Sequence, residues 1–276
     1  MRMLIPICAT ALLLSACAKT ELEPESFMPG LARVTDVWQT ARTIHPAWHK
    51  LYPICLTDGE SFILFHPEAN GEWSVADRGK VNMELPKGIQ AAFPMPFHNY
   101  EMACVLDVKR FASLEDMTVV FHEFVHCYQM EICDAELKAN LLVAQENKHT
   151  NGMWELMYPF PYDKGEIGES YLQMIDAADR GDREAVVALR AKIRDSVSRQ
   201  DWEYLTWQEF KEGTARWLQN VLAARIGARP ARSSRTLPID RVTLYEGGER
   251  VILLLNEENP ELGTHFPALW QAIYEL

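Results

Sequence analysis

The amino-acid sequence predicts an α+β fold, in which a small sheet forms first along the chain and helices follow. Two observations favour this fold class. Short β-like runs separated by glycine, proline and asparagine lie between residues 61 and 108, and from Ser113 onward the apolar residues recur at helical spacing. Strands followed by helices, rather than a regular alternation of the two, are typical of α+β folds.

Length and composition limit the kind of protein that this chain can form. It has 276 residues, of which 48% are hydrophobic, so it can bury one sizeable core, and residues 30–276 are predicted to form a single domain. The formal net charge is −12, which argues against non-specific nucleic-acid binding because that function needs a basic surface. We therefore expect no nucleic acid among its partners.

Residues 1–16 have the features of a lipoprotein signal peptide. Arg2 supplies a positive charge, and the apolar run that follows it is too short to span a membrane as a mature helix. The tetrapeptide L-S-A-C at Leu14–Cys17 resembles the lipobox of bacterial lipoproteins, in which the chain is cut before the cysteine and the cysteine is acylated. The alternative is an ordinary secretory signal followed by an incidental cysteine.

The lipobox resemblance implies a location. Acylation anchors Cys17 in a membrane, and the polar, proline-containing segment 17–29 is expected to tether the domain to it. Ala18 and Lys19 follow the cysteine, without an aspartate at the second position, which by Gram-negative sorting rules favours the outer membrane. We therefore expect an outer-membrane lipoprotein of the bacterial cell envelope that faces the periplasm.

One helix and three strands are predicted before residue 110. The helix spans Leu31 to His45 and ends at His45-Pro46, because the residue before a proline disfavours the helical conformation. The short β-like runs that follow predict strands at Ser61–Phe65, Val81–Leu85 and Met102–Val108.

Local helix signals predict the remaining elements. Ser113 with Asp116 three residues later forms a capping-box pattern, and Thr206 with Glu209 repeats it. Arg229–Pro238 is basic and serine-rich without a helical period, so it is expected to be a solvated loop. Helices are predicted at Asp134–His149, Gly168–Asp179, Asp182–Gln200, Thr206–Arg225, Glu249–Leu255 and Phe266–Tyr274, with a loop at Thr150–Gly165.

The most informative motif is H-E-F-V-H at residues 122–126, on the helix that begins after Ser113. Residues four apart on a helix lie one above the other, so the imidazoles of His122 and His126 can bind one zinc ion. Glu123 is next to this pair and can accept a proton from an attacking water. Both histidines lie away from the apolar stripe of the helix, so their face is either a metal site or merely solvated.

A catalytic zinc site needs a third protein ligand, and Glu212 is the best candidate. It lies opposite the apolar stripe of its own predicted helix. Gly213 costs up to about 1 kcal/mol relative to alanine inside a helix, a cost that is explained if two helices approach closely beside the ligand. Glu209 is the rival ligand, but its spacing from Thr206 already explains it as part of a cap. For Glu212 the alternative is a solvated carboxylate.

These motifs resemble those of the gluzincin metallopeptidases, especially their zinc aminopeptidases. That family combines H-E-x-x-H on one helix with E-G-x-A and an aromatic residue on a second, as at residues 122–126 and 212–217. Its Y-E-K-G stretch, whose tyrosine stabilises the tetrahedral intermediate, is similar to Y-E-G-G at residues 245–248, with glycine in place of lysine. The G-x-M-E-N element that holds a free amino terminus in that family has no counterpart, so exopeptidase activity is not assigned.

The resemblance implies a zincin-like fold, in which a small sheet lobe precedes a mainly helical lobe and the active-site helix lies between them. It implies Zn²⁺ as the cofactor, held by His122, His126 and Glu212. It also implies Glu123 as the catalytic base and Tyr245 as a second catalytic residue that stabilises the oxyanion. The expected activity is hydrolysis of peptide bonds in a peptide or protein substrate. Two alternatives stay open: a non-catalytic envelope lipoprotein with a gluzincin-like fold, and a zinc hydrolase of a non-peptide amide.

Four cysteines besides Cys17 remain after removal of the signal peptide: Cys55, Cys104, Cys127 and Cys133. In an oxidising periplasm they permit two disulfides in three possible pairings. For Cys127 and Cys133, which lie close to the motif in sequence, a disulfide or burial is expected rather than zinc binding.

Overall fold

A computed structural model describes residues 22–81, 88–150 and 152–276 of the chain. The predicted signal peptide, Cys17 and the start of the predicted tether lie outside these residues, and so does most of the strand predicted at Val81–Leu85. The helices of the described residues are α1 (Met28–Ala41), α2 (Leu114–Ile132), α3 (Asp134–Ala139), α4 (Leu142–Glu146), α5 (Trp154–Met157), α6 (Gly165–Asp179), α7 (Arg183–Ser196), α8 (Arg199–Ile226), α9 (Arg241–Glu258) and α10 (Phe266–Glu275).

The strands of the described residues are β1 (Ile54–Thr57), β2 (Ser61–Pro67), β3 (Trp73–Lys80), β4 (Gln90–Met95) and β5 (Glu101–Asp107). They form one sheet with the order β3-β2-β1-β5-β4. β1 pairs in parallel with β5, whereas the other neighbouring strands pair antiparallel. A mixed sheet followed by helices confirms the predicted α+β class.

Three strands have sequence signals too weak to predict. β1 has four residues, all buried, and an apolar run this short does not distinguish a strand from a piece of helix. β3 lies at one edge of the sheet and is mostly exposed, so it lacks an alternating apolar pattern. β4 lies at the other edge and contains Pro94, which an edge strand tolerates better than a central one.

The helix α2 carries the predicted motif and begins where the sequence predicts. The Asp116 N–H donates to the Ser113 hydroxyl at 3.0 Å, and the Ser113 N–H donates to the Asp116 carboxylate at 2.8 Å, so this capping box is confirmed. Phe121 and Phe124 are fully buried on the apolar face of the helix. Because α2 contacts β4 and β5 as well as α8, the motif lies between the sheet and the later helices.

The helix that carries Glu212 is longer than predicted. α8 begins at Arg199, where the Asp201 N–H donates to the Ser198 hydroxyl at 3.1 Å in a capping box. The predicted start at Thr206 is therefore wrong, because Thr206 lies inside the helix and its hydroxyl bonds to a carbonyl one turn earlier. The preceding helix α7 ends at Ser196 and not at Gln200 as predicted, because the chain leaves the helical conformation before Ser198 caps α8.

Glu209, predicted to complete that cap, has a different role. Its side chain is fully buried, and both carboxylate oxygens lie 2.8 Å from Nη1 of Arg190, which donates to them. The Tyr171 hydroxyl donates to the same carboxylate at 2.8 Å. A buried carboxylate needs such partners, because an unpaired charge in the core is costly. Glu209 is therefore a core ion-pair residue and not a metal ligand.

The single helix predicted at Asp134–His149 is divided into α3, α4 and a 3-10 turn. Leu141 has extended backbone, with φ −89° and ψ 126°, and it separates the two helices. The N–H of Val143 donates to the buried carboxylate of Glu203 at 2.9 Å. This contact with α8 satisfies a backbone donor at the start of α4, so the chain can interrupt the helix here without leaving that group unpaired.

The helix α9 begins earlier than predicted, so that Tyr245 lies within it. Its first residue follows Asp240, whose carboxylate accepts from the Thr243 N–H at 2.9 Å. α8 and α9 pack with their backbones in contact, since a Cβ added at Gly213 would lie 2.7 Å from the Cα of Gly248. The close helix approach predicted from Gly213 is therefore confirmed, and it brings the residues next to Gly213 and Gly248 together.

Regular structure begins within the segment predicted as a tether. A 3-10 turn covers Pro24–Ser26, and α1 starts at Met28. The ring of Phe27 packs edge-on against Phe65 of the sheet, with ring centroids 6.3 Å apart. The last residues of the predicted tether therefore belong to the folded part of the chain.

The four described cysteines, Cys55, Cys104, Cys127 and Cys133, are free and buried. No disulfide therefore joins any of them, and burial is the outcome for Cys127 and Cys133. Burial, followed by the charge of Asp134, raises the pKa of the Cys133 thiol to about 12. Burial also raises the pKa of Cys127 well above its usual value. Protonated thiols are poor zinc ligands, because the thiolate is the binding form.

Candidate metal centre

The structure brings His122 and His126 of α2 together with Glu212 of α8. The two imidazole Nε2 atoms are 3.1 Å apart, and an oxygen of Glu212 lies 3.4 Å from Nε2 of His122 and 3.5 Å from Nε2 of His126. Among the described residues, these three form the group of histidine, cysteine and acidic side chains that could hold a metal ion. The exposed fractions of their side chains are 13%, 8% and 19%, so the group is largely buried but accessible.

The three separations fit a tetrahedral metal site. With zinc–nitrogen and zinc–oxygen distances of about 2.0–2.2 Å, neighbouring ligand atoms in a tetrahedron are about 3.3–3.6 Å apart. The two separations that involve Glu212, 3.4 and 3.5 Å, lie in that range, and the separation of 3.1 Å between the imidazoles is slightly shorter. Three ligand atoms on one face of a tetrahedron leave the fourth position for a water or a substrate, as in catalytic zinc sites.

The tautomer of His122 is set by Gln219 of α8. The Thr118 hydroxyl donates to the Glu115 carbonyl at 2.8 Å, so its oxygen can accept from Nε2 of Gln219, 3.1 Å away. This contact orients the amide so that its oxygen faces Nδ1 of His122, at 3.0 Å. Nδ1 must then carry the proton, and Nε2 of His122 is left with a free lone pair.

The tautomer of His126 is set in the same way by Gln129. The side-chain amide of Gln129 donates to the carbonyl of Lys211 at 3.1 Å, and its oxygen accepts from Nδ1 of His126 at 2.8 Å. Gln129 is fully buried, so water does not compete for the hydrogen bonds that orient its amide. Nε2 of His126 is therefore the unprotonated nitrogen, as metal binding requires.

Two imidazole lone pairs and a carboxylate oxygen thus converge on one point, an arrangement that is repulsive without a cation there. Burial lowers the pKa of His126, but the charge and hydrogen bond of Glu212 and the charge of Glu123 together outweigh it, so the net pKa is raised. Burial raises the pKa of Glu212, but the charge of His126 and the hydrogen bonds of both histidines outweigh it, so this pKa lies well below its usual value. The field at this point therefore favours a positive charge.

Replacing Gln219 by leucine is expected to lower zinc affinity by about 10–100-fold, because the partner of the non-coordinating imidazole nitrogen fixes the tautomer that binds metal. Competition with a chromophoric zinc chelator measures this affinity. Gln271→Leu is the matched control, since Gln271 is exposed on α10 and bonds only locally to Glu275. Equal affinity in Gln219→Leu and the control would contradict the assigned tautomer.

Glu123 lies beside the cluster and is 5% exposed. Burial raises the pKa of its carboxyl, and the charges of His126 and His122 partly oppose this effect. A raised pKa brings a carboxylate closer to the operating pH and makes it a stronger proton acceptor. Glu123 is not one of the three residues whose atoms converge, so it is available for proton transfer.

Tyr245 lies on the α9 turn that precedes Gly248, and Gly248 contacts α8 at Gly213, next to Glu212. Burial and then the charge of Glu212 raise the pKa of Tyr245. The hydroxyl therefore stays protonated at neutral pH and can donate a hydrogen bond. The predicted residues of α2, α8 and α9 thus lie on three helices, of which α8 packs against both of the others.

Three further residues of the site were missed by the sequence analysis: Gln129, Gln219 and Arg241. Gln129 follows His126 by three positions on the same helix, so its spacing could have indicated a contact. Gln219 lies two helical turns after Glu212, but its partner is 97 positions away along the chain. Arg241, whose guanidinium lies 5.8 Å from the Tyr245 ring centroid, follows the loop predicted at Arg229–Pro238 and gave no signal.

No family model, curated protein or solved structure matches this chain. The geometry of the site is therefore the ground for its interpretation. The described residues provide two nitrogen donors and one oxygen donor with fixed tautomers, a carboxylate suited to proton transfer and a protonated phenol. This arrangement can bind a metal ion and carry out acid–base chemistry beside it.

Proposed function

We propose that this protein is a zinc-dependent metallopeptidase with a zincin-like fold similar to that of the gluzincins. The observation that carries the proposal is the convergence of Nε2 of His122, Nε2 of His126 and a carboxylate oxygen of Glu212 at distances that fit a tetrahedral site. Two imidazoles and a carboxylate are the donor set of many catalytic zinc sites, and zinc is the metal that best suits it.

The residues around this group supply the chemistry of amide hydrolysis. His122, His126 and Glu212 would hold the zinc ion, which would supply Lewis-acid chemistry by lowering the pKa of a water at the site and polarising the substrate carbonyl. The Glu123 carboxylate takes the proton of the attacking water and passes it to the leaving nitrogen. The Tyr245 hydroxyl donates a hydrogen bond to the oxygen on which negative charge develops.

The buried position of Glu123 favours an enzyme over a binding module. A carboxylate in the core is costly, and it would not be retained beside the metal ligands for binding alone. Burial is the main cause of the raised pKa of Glu123, and a raised pKa makes this carboxylate a stronger base.

Purified protein from Ala18 onward is expected to contain about one zinc ion per chain, because the three ligands form a single site. Elemental analysis after purification without chelators measures this, and a mixed peptide library followed by mass spectrometry measures hydrolysis. The double substitution His122→Asn and His126→Asn removes two ligands and should abolish both readouts. Absence of zinc in the parent would contradict the metal site. Zinc without cleavage of any peptide would favour a scaffold or a hydrolase of a non-peptide amide.

We also propose that the protein is anchored to the bacterial outer membrane through Cys17, on the strength of the L-S-A-C tetrapeptide at Leu14–Cys17. Among the described residues no helix is both long and apolar enough to cross a bilayer. Cys17→Ser should prevent acylation and shift the protein out of the detergent phase in a phase-partition assay. If the variant partitions with membrane as the parent does, the anchoring proposal is wrong.

A further inference from the structure

Arg241, Tyr245 and Gly248 form one row on α9. Residues at positions i, i+4 and i+7 of a helix share a face, so the three side-chain positions point in a similar direction. Gly248 is in backbone contact with α8, which shows that this face of α9 is turned toward α8. Arg241 therefore lies on the α8-facing side of α9, one helical turn before the proposed oxyanion donor.

A second row, Tyr204, Gln208 and Glu212, lies on α8 at intervals of four residues. The side-chain amide of Gln208 donates to the carbonyl of Glu155 at 2.8 Å. Nη1 of Arg241 lies 3.5 Å from the carbonyl of the next residue, Leu156, and donates to it. Arg241 is therefore beside the α8 turn that precedes Glu212, and it lies on the same side of α8 as that proposed metal ligand.

The charge of Arg241 is not matched by a carboxylate. Within residues 22–81, 88–150 and 152–276, its guanidinium takes part in no ion pair, whereas the buried arginines Arg190 and Arg216 each have a glutamate partner at 2.8–2.9 Å. Glu212, the nearest acidic residue of the site, is directed at the two histidines instead. A guanidinium has five donors, and the Leu156 carbonyl uses one of them, so most of its hydrogen-bonding capacity is available to a ligand.

The surroundings of Arg241 are polar, and the charge of Glu212 acts on it without forming an ion pair. Its guanidinium carbon lies 5.8 Å from the centroid of the Tyr245 ring, and the nearby hydroxyls of Tyr162 and Tyr204 are 3.0 Å apart and bond to each other. A cation held among hydroxyl groups at the edge of a metal site is suited to attract an anionic group of a substrate.

We propose that Arg241 binds a carboxylate of the substrate, so that the site takes peptides that carry a carboxylate close to the scissile bond. This inference rests on the proposed peptidase function. One helical turn is about 5.4 Å, and an extended residue spans about 3.3–3.6 Å, so the carboxylate lies one or two residues from the carbonyl that Tyr245 contacts. Either a chain-terminal carboxylate or an aspartate or glutamate side chain can supply it, because the planar guanidinium matches both.

Isothermal titration calorimetry on the Glu123→Gln chain, which is expected not to turn over the ligand, tests this inference. The first pair of probes is Ala-Ala-Ala-Ala with a free terminal carboxylate and the same peptide as an amide. The second pair is Ala-Ala-Asp-Ala-amide and Ala-Ala-Asn-Ala-amide. The carboxylate member of at least one pair should bind about 10–100-fold more tightly, as expected for a hydrogen-bonded charge pair. The pair that shows the preference identifies the source of the carboxylate.

Arg241→Gln should remove this preference by weakening the carboxylate peptide alone, and Arg241→Lys should keep only part of it because lysine lacks the planar fork. Arg229→Gln is the matched control, since Arg229 is 84% exposed and pairs with Glu115 at the surface.

The titrations are run on zinc-loaded and on metal-free protein. A chain that binds no zinc contradicts the proposed function, whereas the metal-free titration still decides the role of Arg241. Equal affinities within both pairs, no binding of any probe, or a preference that persists in Arg241→Gln overturns the inference.

Discussion

Replacing Glu123 by glutamine is expected to lower peptide hydrolysis by about 10²–10⁴-fold while zinc content and fold are retained. The amide has nearly the shape of the carboxylate, so packing beside the cluster is preserved, but it cannot accept the proton of the attacking water. Glu123 does not belong to the group whose atoms converge on the metal position, so metal binding should not depend on it. Hydrolysis is measured on the best substrate found in the peptide library, and zinc by elemental analysis.

Glu115→Gln is the matched control for this substitution. Glu115 lies two turns earlier on the same helix and pairs at the surface with Arg229, a contact that contributes little to stability. The control should therefore keep both hydrolysis and zinc. Unchanged hydrolysis in Glu123→Gln would contradict the role of Glu123 as the base. Loss of zinc in this variant would instead identify it as a ligand.

Replacing Glu212 by glutamine is expected to lower zinc affinity by more than about 100-fold and to reduce hydrolysis in parallel. A residue that only orients a ligand changes metal affinity by about 10–100-fold, and loss of a charged ligand removes a direct bond to the ion. The substitution also removes the negative charge that lowers the energy of a cation between His122 and His126. A competition titration against a chromophoric chelator gives the affinity.

The control for this prediction is Glu169→Gln, because Glu169 is exposed on α6. It should leave zinc affinity unchanged. The two readouts also separate the roles of the glutamates, since hydrolysis and zinc fall together in Glu212→Gln but only hydrolysis falls in Glu123→Gln. Zinc affinity in Glu212→Gln equal to that of the control would show that Glu212 is not a ligand.

The parts of the site that the sequence determined by itself are those that depend on one helix at a time. The backbone hydrogen bonds of a helix convert a spacing of four residues into a fixed distance, so His122 and His126 could be paired from their positions alone. The capping box at Ser113 is equally local. Glu212 was predicted from its place opposite an apolar stripe. A close approach of two helices was predicted from the cost of Gly213 inside a helix, and the contact with Gly248 is that approach.

The sequence failed where two local signals of equal quality competed. Thr206 with Glu209 and Ser198 with Asp201 have the same spacing, and only the second is a cap. The choice depends on Glu209, which is held in the core by Arg190 of a different helix. A cap contributes about 1 kcal/mol, whereas leaving a buried charge without its partner costs several, so the tertiary contact decides.

Only the tertiary structure decided how the metal site is oriented and which residue could recognise a substrate. Gln219 reaches His122 across 97 positions of sequence, and its amide is oriented by a further contact with Thr118. Arg241 lies beside α8 because α9 packs on α8 at Gly213 and Gly248. Spacing along one helix carries no information about such contacts, because they depend on how separate helices are rotated and stacked against each other. The sequence determined the types of the candidate ligands, and packing between helices decided the tautomers of the two histidines and the charge beside them.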